Sequence, residues 1–334
     1  MGHGFKSLQP EAIKEAACQA REQQASEDKR PLEVAYFGGT FTAFAPDEQE
    51  RYLEVAKRLK DQGVIDAVRI STHPGHISAA ICGRLAAHGV DWVEVGVQSF
   101  ASRPLRKSGR GYDEARAREA CRQVQQAGIG LVIQLMPFLP GATETDDVES
   151  AHICAAIEPD AVRLFPTVVL RNTGLFDLMR AGRYAPATLE EAVDRCALML
   201  EPLDRRKIPI LRIGLQASEM TGAQVEAGPY HPALGELVRG AFLADRLADF
   251  ITARPTESVY RVCVENSLAS LLTGHKGRSV NRLQRRLGGA QLDISAKLPG
   301  THGSTTSARR WTGGTFEIED YTSYLTVARA SHGD

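Results

Sequence analysis

Several residues whose types could do chemistry sit at or near the ends of short apolar runs. Gly38-Gly39-Thr40 follows Leu32–Phe37, Glu94 and Gln98-Ser99 bracket the end of a valine-rich run, and Gln134 and Arg163 close two later ones. Arg212 occupies a similar place further on. Two glycines at a strand end let a backbone approach a ligand closely and expose its amides and carbonyls, or else make a tight turn. A carboxylate or an amide leaving an apolar strand is expensive to bury alone, so Glu94, Gln98 and Gln134 hydrogen-bond neighbouring strands or face a ligand. Ser108-Gly109-Arg110-Gly111 has the small residues and the cation of an anion cradle, or is a solvated loop before a capped helix. His73, between Thr72 and Pro74, is a structural or a substrate-facing loop histidine.

The elements that carry these residues alternate from residue 33 to about residue 213. Leu32–Phe37, Ile65–Ser71, Trp92–Val97, Ile129–Met136, Ala161–Phe165 and Ile208–Ile213 have the length and composition of buried parallel strands. Between them, 46–61, 76–88, 113–127, 144–157 and 188–206 have helical spacing, and Pro10–Ala25 precedes the first strand. Asp113 and Thr143-x-x-Asp146 are predicted helix starts, because a short oxygen side chain caps free amides. Repeated units of this kind predict an α/β barrel or a doubly wound sheet. After about residue 228 the pattern changes. A turn cluster, Gly228–Pro232, leads to a helix at 233–253, alternating strands at Glu257–Glu265 and Gln291–Lys297, and a Gly/Ser/Thr loop at 299–308. The predicted domains are 1–228 and a smaller α+β appendage at 229–334.

Composition narrows the function classes. A net charge of −1 over 334 residues gives no global field for nucleic acid or anionic lipid, so any such contact is local. The basic stretch Lys276–Arg286, with Arg309 and Arg310, is either an RNA-contacting surface or a helix face balanced by acids. No apolar run reaches membrane-spanning length and the N-terminus has no apolar signal core, which makes the cytoplasm the default location. The cysteines, at 18, 82, 121, 154, 196 and 263, form no local metal-binding pair and read as small buried hydrophobes.

Tyr36–Phe41, Val93–Ser99 and Gln134–Gly141, in this order and at these separations, resemble the radical S-adenosylmethionine (SAM) enzymes. The branch is the one holding the radical domain of the Elongator catalytic subunit and the coproporphyrinogen-oxidase-like proteins. The resemblance runs from about Val34 to His231 and implies a partial (β/α)6 barrel. It implies that Gly38, Gly39 and Thr40 hold the methionyl end of SAM, and that Glu94, Gln98, Ser99, Gln134 and Arg163 shape the SAM and substrate cavity. Two motifs depart from the family pattern: His73 and Gly75 stand where relatives read arginine and aspartate, and Tyr112 stands for a histidine after Arg110-Gly111. The family's 4Fe-4S cluster is held by Cys-x3-Cys-x2-Cys, and no such loop occurs in this chain. The resemblance therefore places the first strand and cluster loop upstream of Met1, leaving Leu32–Phe37 as an exposed sheet edge. The expected parent activity is reductive SAM cleavage, fed by an electron donor, followed by radical modification of an RNA base such as one in tRNA, or of a small metabolite. The chain as written is expected to be inactive. Two alternatives are a cluster-less module binding SAM or a partner, and an unrelated β/α barrel using Glu94, Gln134 and Arg163.

Overall fold

A computed structural model of the chain describes residues 9–24, 31–37, 39–215, 225–253, 259–288, 291–297, 314–318 and 328–331. Gly38, Arg309, Arg310 and the 299–308 loop lie outside the described residues. The chain forms two compact units, Met1–Phe165 and Pro166–Asp334.

In the first unit α1 (Pro10–Gln23) precedes β1 (Glu33–Tyr36), α2 (Pro46–Asp61), β2 (Ala67–Thr72), α3 (Ala79–Ala87) and β3 (Trp92–Gln98). There follow α4 (Ser102–Lys107), α5 (Glu114–Gln126), β4 (Gly130–Leu135), α6 (Glu144–Ile157) and β5 (Ala161–Leu164). The strands pair in parallel in chain order, β1 with β2, then β3, β4 and β5. Among the described residues β1 is the outer strand, with β2 as its one strand neighbour. The helix starts fall where capping predicts: Asp113 accepts the Arg116 amide, and Thr143 and Asp146 form a reciprocal capping box.

Residues paired across parallel strands share a face, and the two faces of this sheet differ. Val68, Ile70, Val93, Val95, Leu131, Ile133, Val162 and Leu164 are fully buried on one of them. The other carries Arg69 opposite Trp92, Ser71 opposite Glu94, and Gln134 opposite Arg163. The polar residues singled out in these strands fall together as a stripe across the second face. There Arg69 makes a two-pronged pair with Glu33 at 2.8 and 2.9 Å.

Three aspartates pin the N-terminal ends of the strands. Asp66, Asp91 and Asp160 each directly precede, or lie just before, one strand and accept the first amides of its neighbour, from Leu32, Val68 and Leu131 at 2.7, 2.8 and 2.8 Å. These bonds fix register at one end of the sheet and leave the other end to the loops.

The second unit contains β6 (Val169–Leu170), α7 (Gly174–Arg180), α8 (Leu189–Arg205), β7 (Ile210–Ile213), β8 (Val225–Ala227), α9 (Leu234–Thr252) and β9 (Val259–Glu265). It continues through α10 (Asn266–Arg286), β10 (Gln291–Lys297), β11 (Gly314–Ile318) and β12 (Ala328–Ser331). β6 and β8 pair antiparallel. The late strands form a sheet in the order β10-β9-β11-β12. α9 and α10 close a core of Leu243, Leu247, Leu268, Leu272 and Leu283. α10 is broken at Gly274–Gly277, where the backbone leaves the helical region. Three of its arginines are balanced by acids: Arg282 pairs with Asp245 at 2.7 Å and with Asp194, Arg286 with Asp249 at 2.7 Å, and Arg278 with Glu190 at 3.5 Å. Of the two readings of this stretch, the described contacts favour the balanced helix face.

Candidate functional site

Glu94 lies in the middle of β3, not at its end, and its side chain is 2% exposed. Arg163, near the end of β5, is 16% exposed and reaches back across β4 to place Nε 3.3 Å from Glu94 Oε2. The two groups are paired in charge but not aligned as a hydrogen bond. The Arg163 guanidinium also stands 5.0 Å above the ring of Phe37, the residue that follows β1. Beside this pair, Gln134 Nε2 donates to Gln98 Oε1 at 3.0 Å. The sheet thus brings Glu94, Gln98, Gln134 and Arg163 together on one polar face.

The position of Gln98 depends on an irregularity that strand patterns do not encode. Val95 pairs with Ile133 and Gln98 with Leu135, so β3 carries an extra residue there, a bulge. Gln98 has φ 61°, in the left-handed region that a residue with a side chain adopts at a cost of about 1–2 kcal/mol. Gly96 leaves the space this needs, since a Cβ there would lie 2.7 Å from Gln98 Nε2. Strained, bulged positions cluster at functional sites.

Other predicted residues are placed differently. Ser99 is buried, and its hydroxyl meets Ser150 Oγ at 3.2 Å and accepts the Ala101 amide at 3.1 Å, tying β3 to α6. Thr40 precedes a single 3-10 turn, Phe41–Ala43, and Gly39 is exposed beside it. Arg212 belongs to β7 of the second unit. His73 caps the turn Pro74–His76, with Nδ1 accepting the Gly75 amide at 3.0 Å and Nε2 3.1 Å from the Arg110 carbonyl. That pattern makes Nε2 the protonated nitrogen. Burial, and then the Arg110 charge, hold the His73 pKa below its usual value. Tyr112 donates its hydroxyl to the carbonyls of Val97 at 2.6 Å and Gly96 at 3.1 Å, and burial pushes its pKa up to about 12. It therefore acts as a neutral donor that satisfies the bulge.

Several buried polar residues went unread in the sequence, among them Gln49. Gln49 donates to the carbonyls of Thr42 and Phe44 at 3.2 and 2.7 Å and accepts from Arg84 at 2.7 Å, fixing the turn after Thr40. Its signal was its place on the apolar face of α2, in helical register with Tyr52, Leu53 and Ala56. A cavity of about 400 Å³ lies along β1, lined by Ile13, Ala16, Ala20, Tyr36 and Phe44, with Phe37 and Gly39 also in its wall.

Residues 3–153 match the family model for the radical SAM superfamily, and residues 159–242 match that for the radical SAM C-terminal domain. The chain belongs to the radical SAM superfamily. Elongator complex protein 3 of Danio rerio is 30% identical over 200 residues, which cover 52% of this chain and 36% of the relative. The tRNA uridine(34) acetyltransferase of Methanocaldococcus infernus is 25% identical over 183 residues, covering 49% and 34%. The chain thus spans about a third of the length of these relatives. The solved archaeal Elp3 of Methanocaldococcus infernus, with N-terminal residues 1–46 deleted, superposes with a TM-score of 0.61 at 22% identity, covering 72% of this chain and 60% of that one. That likeness shows the α/β fold of a partial radical SAM barrel.

The superfamily implies SAM and a 4Fe-4S cluster. Among the described residues no three His, Cys, Asp or Glu side chains converge as a metal site. Cys82, Cys121, Cys154 and Cys196 are buried on four different helices, α3, α5, α6 and α8. Burial pushes the Cys121 thiol up to about 12 and raises that of Cys154 as well, away from the thiolate form a cluster needs. These donors do not fit the cluster. No helix among the described residues is long and apolar enough to cross a membrane.

Proposed function

We propose that the chain is the SAM-binding part of an Elongator-like radical SAM protein whose substrate is an RNA base, in tRNA above all, with Gly38, Gly39, Thr40, Glu94, Gln98, Ser99, Gln134 and Arg163 as the SAM and substrate residues. The carrying observation is the buried Glu94–Arg163 pair beside Gln98 and Gln134, within a chain of this superfamily. The donor set suits an amino acid end: a carboxylate for an ammonium, a guanidinium for a carboxylate, and side-chain amides for the polar remainder. Arg163, already held over Phe37 and only loosely aligned with Glu94, can turn to a ligand carboxylate without leaving the stripe. Ser99 acts here as a positioning residue, through the link it makes to α6.

What SAM supplies in this superfamily is a sulfonium open to reductive cleavage. That step needs cluster ligands the described donors do not provide, so no catalytic step is assigned to this chain. The scatter of its cysteines favours binding without SAM cleavage in the chain as it stands. The division into barrel (1–228) and appendage (229–334), and a cytoplasmic location, belong to the same proposal.

Calorimetry with SAM on the chain, on Glu94→Gln and on Gly39→Val tests this reading. Wild type should bind. Glu94→Gln should weaken binding about tenfold, equivalent to about 1.4 kcal/mol, and Gly39→Val should abolish it. Equal affinities, or no binding by wild type, would move SAM elsewhere. Anaerobic reconstitution should yield neither a stoichiometric cluster nor 5′-deoxyadenosine, and obtaining both would overturn the account of the donors.

A further inference from the structure

Arg278, Arg282 and Arg286 of α10 are paired with carboxylates, and the cations of one segment in the first unit are not. Ser102-Arg103-Pro104-Leu105-Arg106-Lys107 forms α4, which buries Pro104 and Leu105 and exposes Arg103, Arg106 and Lys107. Arg110 follows in a loop whose Gly109 and Gly111 have φ 67° and 71°. Among the described residues none of these four cations forms an ion pair with a carboxylate. Nearby acids are committed to backbone: Asp146 takes the Thr143 amide, Asp147 the Phe138 amide, and Asp113 the Arg116 amide.

Arg103 and Lys107 are one helical turn apart, a spacing at which like charges repel. Both nevertheless lie over the same spot. At Gly141 a Cβ would stand 2.6 Å from Lys107 Cδ and 3.3 Å from Arg103 Nε, so the two side chains cross a bare stretch of backbone. Gly141 follows the C-terminal end of β4, and α4 follows that of β3, where Gln98 lies. Burial lowers the Arg110 pKa.

We infer that α4 and the loop after it form a docking surface for the phosphodiester backbone of an RNA strand, with Arg103, Arg106, Lys107 and Arg110 as its cations. A lone phosphate would engage one or two of these groups; four cations within eight residues suit an extended polyanion. α4 begins four residues after Gln98, following the same end of β3. The surface also moves the RNA-binding role away from Lys276–Arg286, where Arg278, Arg282 and Arg286 are already paired with carboxylates. The inference rests on the reading of the chain as acting on RNA.

The test is fluorescence anisotropy of the full chain with a labelled single-stranded RNA of about 20 nucleotides, between about 50 and 200 mM KCl. Replacing Arg103, Arg106 and Lys107 together by alanine changes only exposed side chains. It should weaken binding at least tenfold at the lower salt and reduce the slope of log K against log salt by about 2, at about 0.7 for each phosphate no longer neutralised. Arg278→Ala should leave both unchanged. Wild-type affinity and slope in the triple variant, or no wild-type binding at the lower salt, would overturn the surface. SAM calorimetry on the same proteins keeps the two ideas apart. RNA binding lost in the triple variant while its SAM binding persists supports the surface, and RNA binding by wild type, lost in the triple variant, without SAM binding by either removes the SAM site and leaves the surface standing.

Discussion

Replacing Arg163 by methionine keeps most of the side-chain volume and removes the cation from beside Glu94. Glu94 is 2% exposed and Arg163 16%, so little water is present to take over. Breaking one partner out of a buried ion pair typically costs 3–5 kcal/mol, because the remaining charge stays buried. Glu94 keeps a further interaction, which puts the expected loss near the lower end, about 3 kcal/mol. The stacking of Arg163 over the 40%-exposed Phe37 adds about 0.5–1 kcal/mol. Arg163→Lys retains the charge and loses the planar stack, so it should lose only about 1 kcal/mol. The double variant Glu94→Gln/Arg163→Met should be less damaged than the two singles added together, by about 2 kcal/mol of coupling. Urea unfolding followed by fluorescence reads this in the right unit once Trp311, the chain's other tryptophan, is replaced by Phe, since Trp92 opens β3 itself. If Arg163→Met loses under about 0.5 kcal/mol, with no coupling to Glu94→Gln, the pair does not hold this face together and the reasoning fails.

Tyr112→Phe should destabilise the first unit by about 1–2 kcal/mol, because it takes the hydroxyl donor from the Gly96 carbonyl and leaves that of Val97 only the Ser99 amide; urea unfolding that matches wild type within about 0.3 kcal/mol would show that water replaces the hydroxyl. His73 has a folded-state pKa below its unfolded value of about 6.5, so its contribution is fully present above that pH and is lost as pH falls below it toward the folded pKa. Denaturation midpoints between pH 7 and pH 5 should therefore fall more steeply in wild type than in His73→Asn, which keeps an acceptor for the Gly75 amide without titrating. Identical pH profiles would assign the acid sensitivity to other groups.

Local physics carried most of the fold into the sequence. The helices expected at 46–61 and 144–157 are α2 and α6 at those bounds, because Pro46 and Thr143 mark first turns by their own chemistry. Glu94, Gln134 and Arg163 were legible as polar residues in apolar strands, where burial demands a partner. Which partners they have was not legible, since the Glu94–Arg163 pair spans an intervening strand and depends on register across two ladders. Gln98 looked like an ordinary strand-end amide; the bulge that positions it comes from the mismatch of β3 with β4, which neither strand's residues show alone. The charge on α10 was visible, but its neutralisation by Asp194, Asp245 and Asp249 is tertiary. The short α4 was passed over, because six residues interrupted by Pro104 give too little periodicity to read.

The close approach at Gly96 links two positions in the way substitutions can accumulate. A methyl group there meets a side-chain amide at 2.7 Å and the Thr72 carbonyl only at 3.4 Å. The backbone can therefore accommodate alanine, and what yields is Gln98, which must let go of Gln134. A protein free of any duty at this face could drift at 96 with little penalty to its sheet. One that needs the Gln98–Gln134 pair can change neither position, and only a lineage released from that need can shorten 98 and then lose the glycine at 96. Among related chains, glutamine at the position of Gln98 should thus travel with glycine at that of Gly96, and the order of replacement along any lineage should run from 98 to 96.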